Sequence, residues 1–122
     1  MKAVLRMLIA AAMLVGFAAS TASAADYGFT QSDVKKGQKI YIKIKKQVFN
    51  NDDGAKTAGM HTQAEWAKMF EGDAQAVIDA FKGNGGAAEK YLTGSGFQKH
   101  APYLRAFFIF YASDSGNVPS CG

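Results

Sequence analysis

Hydrophobic residues recur every three or four positions between residues 34 and 48. The recurring residues are Val34, Gly37, Tyr41, Ile44 and Val48. Lysines lie on another face of the same helical projection, so the pattern predicts an amphipathic helix that begins after Thr30 or Ser32. In a competing pattern, Ile40, Ile42 and Ile44 alternate with other residues as in a strand. We favour the helix because its period holds over fifteen residues, whereas the alternation covers five.

Shorter helical patterns follow along the rest of the chain. Thr62-Gln63-Ala64-Glu65 has the form of a capping box, which opens a helix. Further helices are expected at residues 77–81 and 87–92. A final helix with a wide aromatic face is predicted to begin at Pro102, because a first turn tolerates the missing N–H of proline. The sequence therefore predicts an all-α domain, a small bundle of four to five short helices.

Residues 1–24 have the pattern of a cleaved signal peptide, which leaves a domain at residues 25–122. Lys2 and Arg6 supply a positive start, the apolar run Met7 to Ala19 follows, and small residues precede a cleavage site after Ala24. Thirteen apolar residues are fewer than the roughly 20 that span a bilayer. We therefore expect an exported, periplasmic protein that is not membrane-spanning after cleavage.

The composition of the chain excludes several kinds of site and several classes of function. The chain of 122 residues has a net charge of +4, and losing Lys2 and Arg6 with the signal peptide lowers the charge by two, to +2. The single cysteine excludes an intramolecular disulfide and a four-cysteine zinc site. No Ser/His/Asp set, paired carboxylates or phosphate-binding glycine loop is present, so the sequence predicts no enzyme. We also expect no nucleic-acid partner.

The helix pattern resembles that of class I cytochromes c. The resemblance is carried by the Gly37-x-x-x-Tyr41 pair, by His61-Thr62-x-x-Glu65-Trp66-x-x-Met69-Phe70, and by the aromatic residues Phe107, Phe108 and Tyr111. In that family the first and last helices cross closely. The resemblance therefore implies that Gly37, Tyr41, Phe108 and Tyr111 lie at a helix crossing.

The haem-attachment motif of that family, C-x-x-C-H, is absent. Ile44, Gln47 and Val48 stand at the positions of its two cysteines and its histidine. We therefore expect no covalent haem. The segment before the predicted last helix, where the family places its distal methionine, contains His100 and no methionine.

Several residues are candidate ligands for a non-covalent cofactor. His61 and His100 can in principle ligate haem or copper, together with Met60 or Met69. Met60, His61, His100 and Cys121 offer the sulfur and imidazole groups that favour Cu(I). Each histidine is also explained as a residue near the start of a helix. Cys121 is alternatively a thiol that forms an intermolecular disulfide in an oxidising compartment, as in a disulfide-linked dimer, or an inert, unpaired thiol.

The lysines of the first long helix form a candidate docking surface. They are Lys35, Lys39, Lys43 and Lys46. Such a row is commonly a solvated face, but it also suits an acidic redox protein of the envelope. The predicted function is an exported cytochrome c-like accessory protein of envelope electron transfer that works by binding. The alternatives are a carrier of non-covalent haem or copper, and a structural or inhibitory interaction protein.

Overall fold

A computed structural model describes residues 24–118 of the chain. This part is helical and contains no strand, which confirms the all-α prediction. The helices are α1 (Ala24–Tyr27), α2 (Gln31–Val48), α3 (Gly54–Ala58), α4 (Gln63–Met69), α5 (Gln75–Phe81), α6 (Gly86–Leu92) and α7 (Ser95–Phe110), with a 3₁₀ turn at Lys82–Asn84. None of these helices is long and apolar enough to cross a membrane. The predicted signal peptide, apart from Ala24, and Cys121 lie outside the described residues.

Helix α2 has the register that the hydrophobic pattern predicts. Its buried residues are Val34, Gly37, Tyr41, Ile44 and Val48. The helix begins with a capping box in which the Asp33 N–H donates to Thr30 Oγ1 and the Thr30 N–H donates to the Asp33 carboxylate. Ile42 is 44% exposed whereas Ile44 is 7% exposed. Residues two positions apart point to nearly opposite sides of a helix, but they share one face of a strand. The strand alternative for residues 39–45 is therefore wrong.

Helices α2 and α7 approach closely at Gly37. A Cβ added to Gly37 would overlap the carbonyl oxygen of Tyr103 and lie 2.8 Å from Phe107 Cβ. The backbone approach thus involves Tyr103 and Phe107. Of the other residues expected at the crossing, Tyr41 stacks on Phe107 with ring centroids 5.4 Å apart and meets the Phe108 ring edge-on at 5.8 Å.

Tyr111 lies at the C-terminal end of α7, beyond the point of closest approach. Its ring packs edge-on against Phe107 at 5.2 Å and against Phe110 at 4.9 Å. It is half-buried, whereas Phe107 is 1% exposed. Tyr111 therefore extends the aromatic cluster of α7.

Aromatic rings fill the core between α2, α4 and α7. Trp66 stacks on Phe108 at 4.5 Å, and its indole N–H donates to the carbonyl of Ala58 at 2.8 Å. The Tyr41 hydroxyl donates to the carbonyl of Asp52 at 2.6 Å and lies 2.6 Å from Thr57 Oγ1. Burial raises the pKa of Tyr41 to about 12. The polar atoms that the core encloses here are satisfied, and they tie α2 to α3.

The structure differs from the sequence prediction in the start of the last helix and in one additional short helix. Helix α7 begins at Ser95, not at Pro102, which lies inside it. Phe97 and Leu104 are both fully buried and are seven residues apart, so one apolar stripe runs past the proline. The short helix α3 was not predicted either, because its five residues are too few to show a period. The described part therefore contains more helices than the four to five expected.

Candidate functional site

The lysines of α2 form one straight stripe on the face opposite the core. We call Lys35, Lys39, Lys43 and Lys46 the lysine stripe; all four side chains are exposed. Their spacings of four, four and three residues keep them within about 80° of helical rotation. At 1.5 Å per residue the stripe extends about 16 Å along the helix. The core face of α2 thus fixes the direction in which the charges point.

No carboxylate of the described residues pairs with the lysine stripe. The ion pairs found among residues 24–118 lie elsewhere, as in Lys56–Asp52 at 3.3 Å and Lys82–Asp79 at 3.4 Å. The neighbouring Lys36 differs, because its Nζ lies 4.9 Å from the centre of the Tyr103 ring. Like charges four residues apart repel one another on a helix. The stripe is therefore an uncompensated positive surface that a negatively charged partner would stabilise.

The position of one of these lysines at the C-terminal end of α2 accounts for its charge, with no need for a binding partner. Lys46 lies in the last turn, where a positive charge interacts favourably with the helix dipole. Lys35, Lys39 and Lys43 lie outside that turn and gain nothing comparable. The repulsion along the stripe is thus offset at only one end.

His61 lies at the start of α4 beside an open groove. Its Nδ1 is 3.7 Å from Glu65 Oε1, and its ring meets the Trp66 ring edge-on at 4.8 Å. The groove has a volume of about 510 Å³ and is also lined by Met69 and Glu71. Met60 is 49% exposed, and its side chain is not among those that line the groove.

His100 lies in a different part of the molecule. The Tyr91 hydroxyl lies 2.7 Å from His100 Nδ1, and burial raises the pKa of Tyr91 to about 12. His100 precedes the end of α7 at Phe110 by ten residues, or about 15 Å of helix. The carbonyl of His61 accepts a hydrogen bond from the N–H of Ser113, beyond that end. The two histidines are therefore not brought together.

The candidate metal ligands are dispersed in consequence. Met60 and His61 are adjacent, His100 is remote, and Cys121 lies outside the described residues. Across residues 24–118 no group of three or more His, Cys, Asp or Glu side chains is placed to hold a metal ion. Met69, the other methionine expected as a ligand, shares the groove with His61.

The residues do not fit a haem held as in cytochromes c. Ile44 and Val48, at two of the attachment positions, are 7% and 0% exposed and belong to the core. Trp66 and Phe108 stack at 4.5 Å, so their facing surfaces leave no room for a macrocycle between them. Neither His61 nor His100 has the other beside it as a second axial ligand.

No protein-family model, curated protein or solved structure matches the chain. The resemblance to class I cytochromes c therefore stays a prediction from the sequence.

Proposed function

We propose that this chain is an exported binding protein that docks an acidic partner protein through the lysine stripe. The observation that carries the proposal is the set of four exposed lysines on one helix face, without a carboxylate partner among the described residues. The envelope location follows from the predicted signal peptide. The cytochrome c-like pattern without haem attachment supports an accessory role in envelope electron transfer.

The exposed charges of the lysine stripe determine the affinity, salt dependence and association rate that we expect for docking. An exposed lysine–carboxylate pair contributes at most about 1 kcal/mol, so the affinity requires several pairs at once. Charges at a surface are screened over about 8 Å at physiological ionic strength. Complementary charge accelerates association more than it strengthens the final complex. We therefore expect fast, salt-sensitive binding.

The test compares two variants of equal net charge. Lys39→Glu/Lys43→Glu reverses the centre of the stripe, and Lys68→Glu/Lys99→Glu makes the same change at exposed lysines of α4 and α7. Glutamate and lysine have similar helix propensities, so neither variant should unfold the chain. Circular dichroism checks the fold of both.

Each variant is immobilised and exposed to the envelope fraction at low and at physiological salt. We expect the wild type and the α4/α7 variant to retain one acidic protein at low salt and the stripe variant to lose it. Equal capture by both variants would refute the proposal, as would capture that is unaffected by salt.

A second candidate function is copper binding at the groove beside His61. The observation that favours it is that the imidazole of His61 and the thioether of Met69 line the same groove, with Glu65 Oε1 3.7 Å from His61 Nδ1. Imidazole and thioether are ligands that suit Cu(I). Titration with Cu(I) against a competing chelator should show one site that is lost in His61→Ala and kept in His100→Ala. Equal affinity in these two variants would exclude the groove.

A further inference from the structure

Ile42 is an exposed hydrophobic residue on the outer side of α2. Its side chain is 44% exposed, while Ile44 on the same helix is 7% exposed and Ile40 packs against the core. A single exposed aliphatic side chain is ordinary on a protein surface. The position of Ile42 relative to the lysine stripe distinguishes it.

The helix surface surrounds Ile42 with positive charge. Its neighbours there are the residues three and four positions away, namely Gln38, Lys39, Lys45 and Lys46. Lys39 and Lys46 belong to the lysine stripe and lie within about 60° of Ile42 around the helix axis. An apolar centre within a charged rim is the arrangement of many interface hot spots.

We propose that Ile42 is the apolar anchor of the lysine stripe and that the surface it docks is an acidic helix of the partner. The inference rests on the proposed function. Carboxylates spaced four, four and three residues apart on a helix rise by the same about 16 Å as the lysines do. In a strand the carboxylates of one face repeat about every 6.6 Å, so four of them span about 20 Å and lose register with the stripe. An apolar residue between the carboxylates would cover Ile42.

Charge and apolar contact should affect different rate constants. The lysines attract the partner from a distance, so reversing them slows association and changes its salt dependence. Ile42 acts only in contact, so its truncation should accelerate dissociation. Covering the exposed 44% of the Ile42 side chain with apolar surface should change the affinity about fivefold.

The test uses two synthetic helical peptides as probes. Both peptides carry four glutamates spaced four, four and three residues apart. One peptide has a leucine between the glutamates, and the other peptide has a glutamine at the position of that leucine. Association and dissociation rates are measured for the wild type, for Ile42→Ala and for Val118→Ala. Val118 is 76% exposed and lies outside the stripe, so it serves as a control for loss of an exposed apolar side chain.

We expect Ile42→Ala to accelerate dissociation of the leucine peptide about fivefold at every salt concentration and to leave the glutamine peptide unchanged. Val118→Ala should match the wild type. If Ile42→Ala is silent while Lys39→Glu/Lys43→Glu slows association, the anchor is refuted and the proposed function stands. If the stripe variant binds both peptides as the α4/α7 variant does, the proposed function fails too. Tighter binding to phosphatidylglycerol vesicles than to the leucine peptide would overturn the acidic helix as the occupant.

Discussion

Replacing Gly37 with alanine tests the close approach of α2 and α7. The added Cβ would overlap the carbonyl oxygen of Tyr103 and lie 2.8 Å from Phe107 Cβ. One of these obstacles is backbone, so no change of rotamer relieves the overlap. The helices must separate, or the backbone of α7 must shift.

The structure sets the size and sign of the effect. Alanine at a helix interior gains about 1 kcal/mol over glycine in propensity. Overpacking costs about 1–3 kcal/mol, and more where the structure cannot adapt. Separating the helices also weakens the stacking of Tyr41 on Phe107. We expect a net loss of about 2 kcal/mol, which lowers Tm by roughly 8–16 °C in a domain of this size.

Thermal and urea unfolding followed by circular dichroism measure the change, with two other glycines as controls. Gly86→Ala, in the first turn of α6, meets no atom within 4 Å and should be neutral or stabilising. Gly54→Ala places a Cβ 2.7 Å from Phe107 Cζ, the far end of a side chain, and should cost less than Gly37→Ala. A Gly37→Ala protein as stable as Gly86→Ala would refute the close crossing.

Two further predictions concern hydrogen bonds. The Thr62 N–H donates to the Glu65 carboxylate and lowers its pKa below the ordinary value of a glutamate. This stabilisation is present above that ordinary value and is lost as the pH falls through the lowered pKa. The deficit of Glu65→Gln in urea unfolding should therefore shrink on acidification, and a deficit independent of pH would contradict this. Tyr41→Phe leaves the Asp52 carbonyl without its donor and the buried Thr57 hydroxyl without its partner, and it should cost about 1–3 kcal/mol. An equal loss in Tyr103→Phe would contradict this.

Helix α2 could be predicted from the sequence because its pattern is long and regular. Five apolar positions at helical spacing identify its buried face, and each is buried in the structure. The capping box at Thr62 is predicted from the sequence because three-residue spacing determines both of its hydrogen bonds, and of the two candidate caps of α2 the structure shows Thr30. Local rules sufficed wherever the determining contacts are local.

The start of α7 could not be predicted by such rules. Pro102 fits a first turn, and nothing nearby in the sequence contradicts that placement. The burial of Phe97 stabilises the helical turns before the proline, and that contact depends on the tertiary fold. The consequence for the site is direct, because His100 lies within a helix and not in a loop that could fold over a cofactor.

The candidate site likewise has one feature that the sequence predicts and others that depend on the tertiary fold. The spacing of the lysine stripe is visible in the sequence, but the lack of a facing carboxylate depends on how the other described helices pack. In the sequence, Ile42 is distinguished only by its alternation with Ile40 and Ile44. Its exposure among lysines emerges once the core face of α2 is known.

The two faces of α2 perform separable tasks. On the inner face, the contact of Gly37 with α7 holds the helix in place; on the outer face, Lys39, Ile42 and Lys43 are exposed. Because the backbone is already ordered, docking restricts only side chains, which limits its entropic cost. Substitutions on opposite faces share no contacts, so their effects should be additive. Gly37→Ala should therefore lower Tm without weakening docking where the protein is folded, and Lys39→Glu/Lys43→Glu should abolish docking without lowering Tm.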